Sequence, residues 1–255
     1  GQHAGLWLTA ALLYVGAVIV SGYSRRKSDA RLARHMGRIV LIALLGAAAA
    51  PALLAMGLRR MDGASASLLL AFEASFTALF ARILYRETLS RRVLVALALT
   101  FAGGVVLVRP DLGVPRLAAG SVLVLGAVLC WAADSAIMRP LSAFPVASVV
   151  RAKSLVGVCA SLLVSVALRE SVPGLRDALA LVLCGALGYG ISLRLYLIAQ
   201  RNVGAARTAS VFSIAPFFGA IVALALGQRA HVPTLAIAGA LLALGVAAQA
   251  TEKRR

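Results

Sequence analysis

Acidic residues are scarce in this 255-residue chain: 9 Asp and Glu stand against 26 Lys and Arg, and charged residues of both signs make up only 14 %. That is too little charge to clothe a water-soluble domain of this length, so the soluble globular class is excluded. Histidine and cysteine are equally sparse, three of each. His3, His35 and His231 fall in or beside loops and form no cluster. Cys130, Cys159 and Cys184 are odd in number, unspaced for metal and embedded in apolar runs, where they read as small core residues. No metal and no cofactor is expected. No phosphate-cradling loop follows a strand, and no nucleophile has a recognisable base partner, so neither ATP-driven work nor a catalytic set is expected. Nothing shows the two-residue alternation of a barrel strand, and a strand open to lipid would leave its backbone unpaired.

Apolar residues are what the chain has: 61 % of the total, with a mean hydropathy of +0.93. They come in runs of about 17 to 25, the length a helix needs to cross roughly 30 Å of hydrocarbon. The pattern predicts spans near 5 to 22, 37 to 57, 63 to 84, 91 to 108, 118 to 138, 145 to 167, 177 to 199, 204 to 226 and 232 to 250. The fold class that follows is an all-α polytopic membrane protein with nine transmembrane helices.

The net charge of +17 raises nucleic acid as a partner, and the placement of the basic residues argues against it. One set of alternate loops holds Arg25, Arg26, Lys27, Arg31, Arg34, Arg38, Arg82, Arg86, Arg91, Arg92, Arg139, Arg201, Arg207, Lys253, Arg254 and Arg255. The opposite set holds seven: Arg59, Arg60, Arg109, Arg116, Arg169, Arg176 and Arg229. Such asymmetry follows the positive-inside rule and places the C-terminus in the cytoplasm, with basic loops against anionic lipid. Nine spans then put the N-terminus outside. Gly1 is not an initiator Met and no basic region precedes the first apolar run, so a signal peptide is a weak reading.

The chain repeats itself. DGASASLLLAFEASFTALFA (62 to 81) lies against GAARTASVFSIAPFFGAIVA (204 to 223) at a constant offset that matches Ala64 with Ala206, Phe76 with Phe218 and Ala78 with Ala220. Farther on, LVALALTFAGGVVLV resembles LAIAGALLALGVAA once one loop residue is dropped. Five spans separate the copies, and an odd number inverts the second copy in the membrane, the plan of many secondary transporters. A five-plus-five plan calls for one more helix before residue 5.

At these stretches, LRRMDGASASLLLAFEASFTALFARILYRETLS and AQRNVGAARTASVFSIAPFFGAIVALALGQR, the chain resembles the two EamA domains of the drug/metabolite transporter superfamily. The resemblance covers nearly the whole chain and implies a first EamA repeat over 1-109 (helices two to five) and a second over 118-251 (helices six to ten), with the first helix missing. It implies a ten-helix exporter or exchanger of small metabolites, both termini cytoplasmic in the complete protein. The family's Glu-Pro pattern is split here: Glu73-Ala74 keeps the acid and Ala215-Pro216 the proline. The Gly-Glu pattern that follows is reduced to Arg86-Glu87 and Gly227-Gln228. These departures put a family-wide coupling mechanism in doubt and leave the substrate open.

Chemistry must then lie with polar residues inside the spans, where an ionised group costs on the order of 2.5 to 3.5 kcal/mol and needs a cavity or a partner. Glu73 shares a helical face with Phe76, Thr77 and Phe80, and is a candidate substrate or proton site with Thr77; the alternative is a Glu hydrogen-bonded between helices. Asp134 lies on a stripe with Ala127, Trp131 and Met138, and either Arg151 or Lys153 of the next span is within reach to pair with it, as a clamp or a gate. Lys153, Gly157, Ser161 and Ser165 recur every four residues, a stripe for close packing or for a path. Arg194 lies inside a span that opens on Gly185, Gly188 and Gly190, where the helix can bend. It either pairs with a carboxylate or phosphate or snorkels to the surface. Tyr189, Ser192 and Tyr196 are expected on the face opposite Arg194. Pro216 is expected to free the Phe212 carbonyl within its helix, as a gating device near a site or equally as a packing kink only, and with Gly188 and Gly190 is a structural or gating candidate.

Together these features predict a secondary transporter in the cytoplasmic (inner) membrane, with a cavity between the repeats and alternating access. Its expected partners are a small polar or amphipathic solute, the lipid bilayer, a coupling proton or ion, and a second copy in a homodimer. An enzyme acting at the lipid interface and a non-transporting membrane subunit are the alternatives. The loops offer an enzyme Arg but almost no His or acid.

Overall fold

The computed structural model describes residues 5–21, 32–86, 90–108, 115–203, 212, 214–228 and 231–250. Of the residues singled out above, Gly1, His3, Arg25, Arg26, Lys27, Arg31, Glu87, Arg109, Ala206, Arg207, Arg229, Lys253, Arg254 and Arg255 lie outside them. Among the described residues the chain is helical and has no strand.

Among the described residues nine main helical stretches follow one another. They are α1 (Leu6–Val20), α2 (Met36–Leu58), α3 (Gly63–Tyr85), α4 (Arg91–Val108), α5 (Pro115–Met138), α6 (Val146–Ala167), α7 (175–203), α8 (Ala215–Ala225) and α9 (Val232–Ala250). Among the described residues five stretches are long and apolar enough to cross a bilayer: α2, α3, α6, the Ala118–Leu141 stretch that takes in most of α5, and Leu175–Ala199 of α7. Leu6–Val20, Ala215–Ala225 and Val232–Ala248 are shorter apolar helices. In hydrocarbon a helix satisfies its own backbone, which lets the β-branched runs of α4 and α6 stay helical despite modest propensity. Large apolar side chains such as Leu163, Val166, Leu183 and Phe218 are exposed, as lipid-facing residues of a membrane protein are.

Two compact units divide the chain. One comprises residues 1–55 and 133–202, the other 56–132 and 203–255, so each draws on both halves of the sequence.

Small residues bring the helices of the first unit into contact. A Cβ on Gly16 of α1 would strike the Val182 carbonyl of α7, and one on Gly185 would strike the Leu13 carbonyl of α1. Gly190 meets Ala17 and Val20 in the same parallel register. The every-fourth-residue stripe of α6 is buried along its length, and Gly157 lies on Ala47 of α2. At one end of this unit Leu32, Ile39, Ile42, Met138, Leu141, Val149, Val150 and Leu197 form an apolar cluster.

In the second unit, repeat-related helices pack antiparallel. Gly103 of α4 meets Ala238 and Leu242 of α9, while Gly245 meets Thr100 and Ala96. The Ser67 hydroxyl of α3 donates to the Pro216 carbonyl of α8 at 2.8 Å, and the Gly63 N–H donates to Oε1 of Gln228 at 2.6 Å. Asp62 caps α3 by accepting from the Ser65 N–H at 2.8 Å. Phe72, Phe76 and Phe101 form an aromatic group with centroids 5.7 to 6.1 Å apart.

Candidate functional site

The first unit holds a buried ion pair. Asp134, on the last turn but one of α5, receives a hydrogen bond from the ammonium of Lys153 on α6, and each residue is only 3 % exposed. Two opposite charges side by side cancel most of the field that either would carry alone into hydrocarbon, but the pair still costs desolvation that packing must offset. Arg151 lies two positions before Lys153, is half-buried, and turns to a different face of α6. Among the described residues no hydrogen-bond partner reaches Oδ1 of Asp134 or the hydroxyl of Ser161, although both atoms are buried. The carboxylate therefore retains capacity to accept a proton or a donor.

The seat of this carboxylate is a widened helical turn. Residues Leu44–Ala49 of α2 are π-helical, and a Cβ on Gly46 would occupy the position of the Asp134 carboxylate. Pro51 suits the turn. Proline has no N–H and its ring clashes with the carbonyl four residues back, so a helix that contains one locally rearranges. The Ala50 N–H bonds to Leu45 in the i→i+5 pattern, and Pro51 has no N–H with which to continue that pattern to Gly46. The Gly46 carbonyl instead accepts from the hydroxyl of Tyr14 on α1 at 2.7 Å. The Tyr14 ring, 2 % exposed, lies 5.1 Å from that of Tyr189 on α7.

Tyr189 belongs to a second π-helical turn, Ala186–Ile191, at the glycine cluster. This turn changes the expected geometry of α7. In a regular helix Tyr189 and Arg194 point to different sides. A π turn takes more residues per revolution and so rotates less per residue, and here both side chains reach α1. Tyr189 packs on Tyr14, and the guanidinium of Arg194 donates to the Val20 carbonyl at 2.6 Å. A cation at the last carbonyls of α1 also complements that helix's dipole. Gly190 gives α1 room to approach, while Gly188 is exposed with open space around its Cα.

At the opposite end of α1, Glu170 closes the helix. Its carboxylate accepts from the N–H groups of Trp7 at 3.2 Å and Leu8 at 2.9 Å, satisfying two orphan donors of the first turn.

The remaining candidates belong to the second unit. α3 is interrupted at Leu70–Ala71, and Glu73 therefore sits in the first turn of the segment Phe72–Tyr85 rather than in mid-helix. Glu73 and Thr77 are half-buried, and a carboxylate in a first turn is favoured by the helix dipole. Trp131 is half-buried on α5. Pro216 also departs from expectation: it lies in the first turn of α8, where its missing N–H would have had no helical partner in any case.

Tyr14, Gly46, Pro51 and Glu170 were not singled out by sequence. The signals were present in Pro51 inside an apolar run and in the offset of the repeat, which carries Gly46 onto Gly188.

Comparisons with known proteins agree with this architecture. The EamA-like transporter family matches residues 3–109 and 118–249. An "uncharacterized transporter" of Methanothermobacter thermautotrophicus is 31 % identical over 232 residues, which is 86 % of this chain and 66 % of that protein. The chain thus spans just under two thirds of the relative's length. A solved structure described only as "crystal structure of protein" shares the fold with a TM-score of 0.64 and 22 % identity, over 96 % of this chain and 88 % of that one. This all-α, multi-pass membrane protein belongs to the EamA-like transporter family of the drug/metabolite transporter superfamily.

Proposed function

We propose that this protein is a secondary transporter, an exporter or exchanger that moves small polar or amphipathic metabolites across the cytoplasmic membrane by alternating access. The observation that carries the proposal is the Asp134–Lys153 pair buried in helices read as membrane-spanning. A chain that needed only to sit in lipid would gain nothing from two such charges, and apolar residues of the same volume would pack there at no desolvation cost. A solute or proton path gives them a use: Oδ1 of Asp134 still accepts, and a proton or a substrate N–H that binds it loosens its hold on Lys153. In this reading Lys153 shifts between Asp134 and an anionic group of the solute, and the energy comes from an ion gradient or from exchange. Glu73 with Thr77 is a second proton or substrate site. The C-terminus is cytoplasmic, as the basic loops favour, and the protein works alone or as a homodimer.

The test is flux in proteoliposomes against a panel of amino acids, nucleosides, sugars and organic acids, with and without a pH gradient. We expect saturable counterflow of at least one class, lost in Asp134→Asn. Absence of flux for every class under every gradient would sink the transport reading. Flux that Asp134→Asn leaves unchanged would remove the ion pair from the path.

A further inference from the structure

The two π turns begin at Leu44 and Ala186, 142 positions apart, the same offset that matches Ala64 with Ala206 in the repeat. Fewer than about 1 % of residues in proteins are π-helical. Finding the rare turn at both repeat-equivalent places marks it as an element common to the two halves. The turns have since diverged. Gly46 has the Asp134 carboxylate on its Cα and Pro51 five residues on; Gly188 has open space, and the equivalent of Pro51 is Leu193, which keeps its N–H. One side chain touches both turns. The Tyr14 hydroxyl takes the carbonyl that Pro51 cannot bond, and the Tyr14 ring packs on Tyr189.

We infer that Tyr14 is a positioning residue for transport: it fixes the π turn on which Asp134 rests and couples that turn to the one around Tyr189. The inference builds on the transport function proposed above for the Asp134–Lys153 pair, but its physical content is separate. Tyr14 replaces the donor that Pro51 lacks, so it holds Gly46, and with Gly46 the carboxylate, at one height along α2. A disturbance at the ion pair shifts Gly46, moves the tyrosine, and reaches α7 through the ring contact. The hydroxyl and the ring do different jobs, so substitutions separate them. Tyr14→Phe keeps the contact with Tyr189 and releases Gly46. Tyr14→Ala releases both.

The test is amide hydrogen exchange, read by mass spectrometry on the full chain in lipid nanodiscs. In Tyr14→Phe we expect exchange over 44–50 to quicken about two- to tenfold, the range of one net neutral hydrogen bond, with 186–191 unchanged. In Tyr14→Ala the faster exchange should extend to 186–191. Pro51→Ala supplies an N–H that the helix can offer in place of the Tyr14 hydroxyl, so in that background adding Tyr14→Phe should change nothing over 44–50. A side chain that merely filled space would not show this dependence on residue 51. The neutral pair Asp134→Asn/Lys153→Gln should alter exchange over 186–191 when Tyr14 is present and not in Tyr14→Ala. The inference is overturned if Tyr14→Phe leaves 44–50 protected, if its effect persists undiminished beside Pro51→Ala, or if 186–191 ignores Tyr14→Ala. Should exchange behave as expected while no solute of the panel moves, the transport reading fails and the coupling stands. Should solute move with unaltered turnover in Tyr14→Phe, the positioning role is lost.

Discussion

The two units solve the problem of polarity in lipid differently. The first buries a full ion pair together with Ser148, Ser154, Ser161 and Ser165, and ties in Tyr14 and Arg194 through backbone carbonyls. Among the described residues the second buries only hydroxyls as polar groups, Ser75, Thr100 and Ser121, beside an aromatic group. Its acid, Glu73, stays half-buried in a helical first turn. The Ser75 hydroxyl bonds to Thr100 at 3.2 Å, and Thr100 bonds back to its own helix at Ala96 at 2.8 Å, so these groups are satisfied locally. The lesson is one of cost. Hydroxyls that bond to their own helix or to one neighbour barely disturb a membrane interior, whereas a buried charge pair must be held by several helices at once, and the first unit is built around that need.

The sharpest way to break the contrast is to strand a charge. Lys153→Met leaves Asp134 buried without its partner and should cost about 3 to 5 kcal/mol, seen as early thermal unfolding in detergent. The neutral double variant Asp134→Asn/Lys153→Gln should unfold later than Lys153→Met. Equal unfolding temperatures for the two would mean that charge is not what matters there. Next comes the comparison of the two π turns. Gly46→Ala forces a methyl onto the Asp134 carboxylate and should cost about 1 to 3 kcal/mol. Gly188→Ala enters open space and should cost nothing, or gain about 0.5 to 1 kcal/mol from lost glycine entropy. Comparable losses at both glycines would erase the asymmetry. A smaller effect is expected at Glu170, where Ala removes a cap from α1 and should cost about 0.5 to 2 kcal/mol, with amides of Trp7 and Leu8 exchanging faster. Smallest is Glu73→Gln, expected to cost about 0.3 to 1 kcal/mol through the helix dipole. Flux with unchanged pH dependence in that variant would make Glu73 structural in the second unit.

Much of the architecture was legible in the sequence because hydropathy and length alone decide which segments can cross lipid. The apolar helices and the all-α membrane class are of this kind. Partner choice was not legible: Asp134 had two candidates within reach, and only the rotation of α6, set by Gly157 against Ala47, brings Lys153 to it. The relation of Tyr189 to Arg194 is not legible because a helical wheel assumes a uniform turn, and the π turn at Ala186–Ile191 breaks that assumption. Tyr14 was passed over since nothing around it in LWLTAALLYVGA is polar enough to stand out. Its role depends on a carbonyl in another helix, freed by a proline thirty-seven positions downstream.

The contact between Gly16 and Gly185 carries a mechanical consequence. Where α1 meets α7, backbone lies directly on backbone, with the Leu13 and Val182 carbonyls filling the space that side chains occupy elsewhere. Interlocking side chains can slip by one notch; two bare backbones pressed together have no notches, and sliding them would drive the flanking Tyr14, Ala17 and Tyr189 into the opposite helix. α1 and α7 are thus packed as a single strut, held at one end by Glu170 and at the other by Arg194.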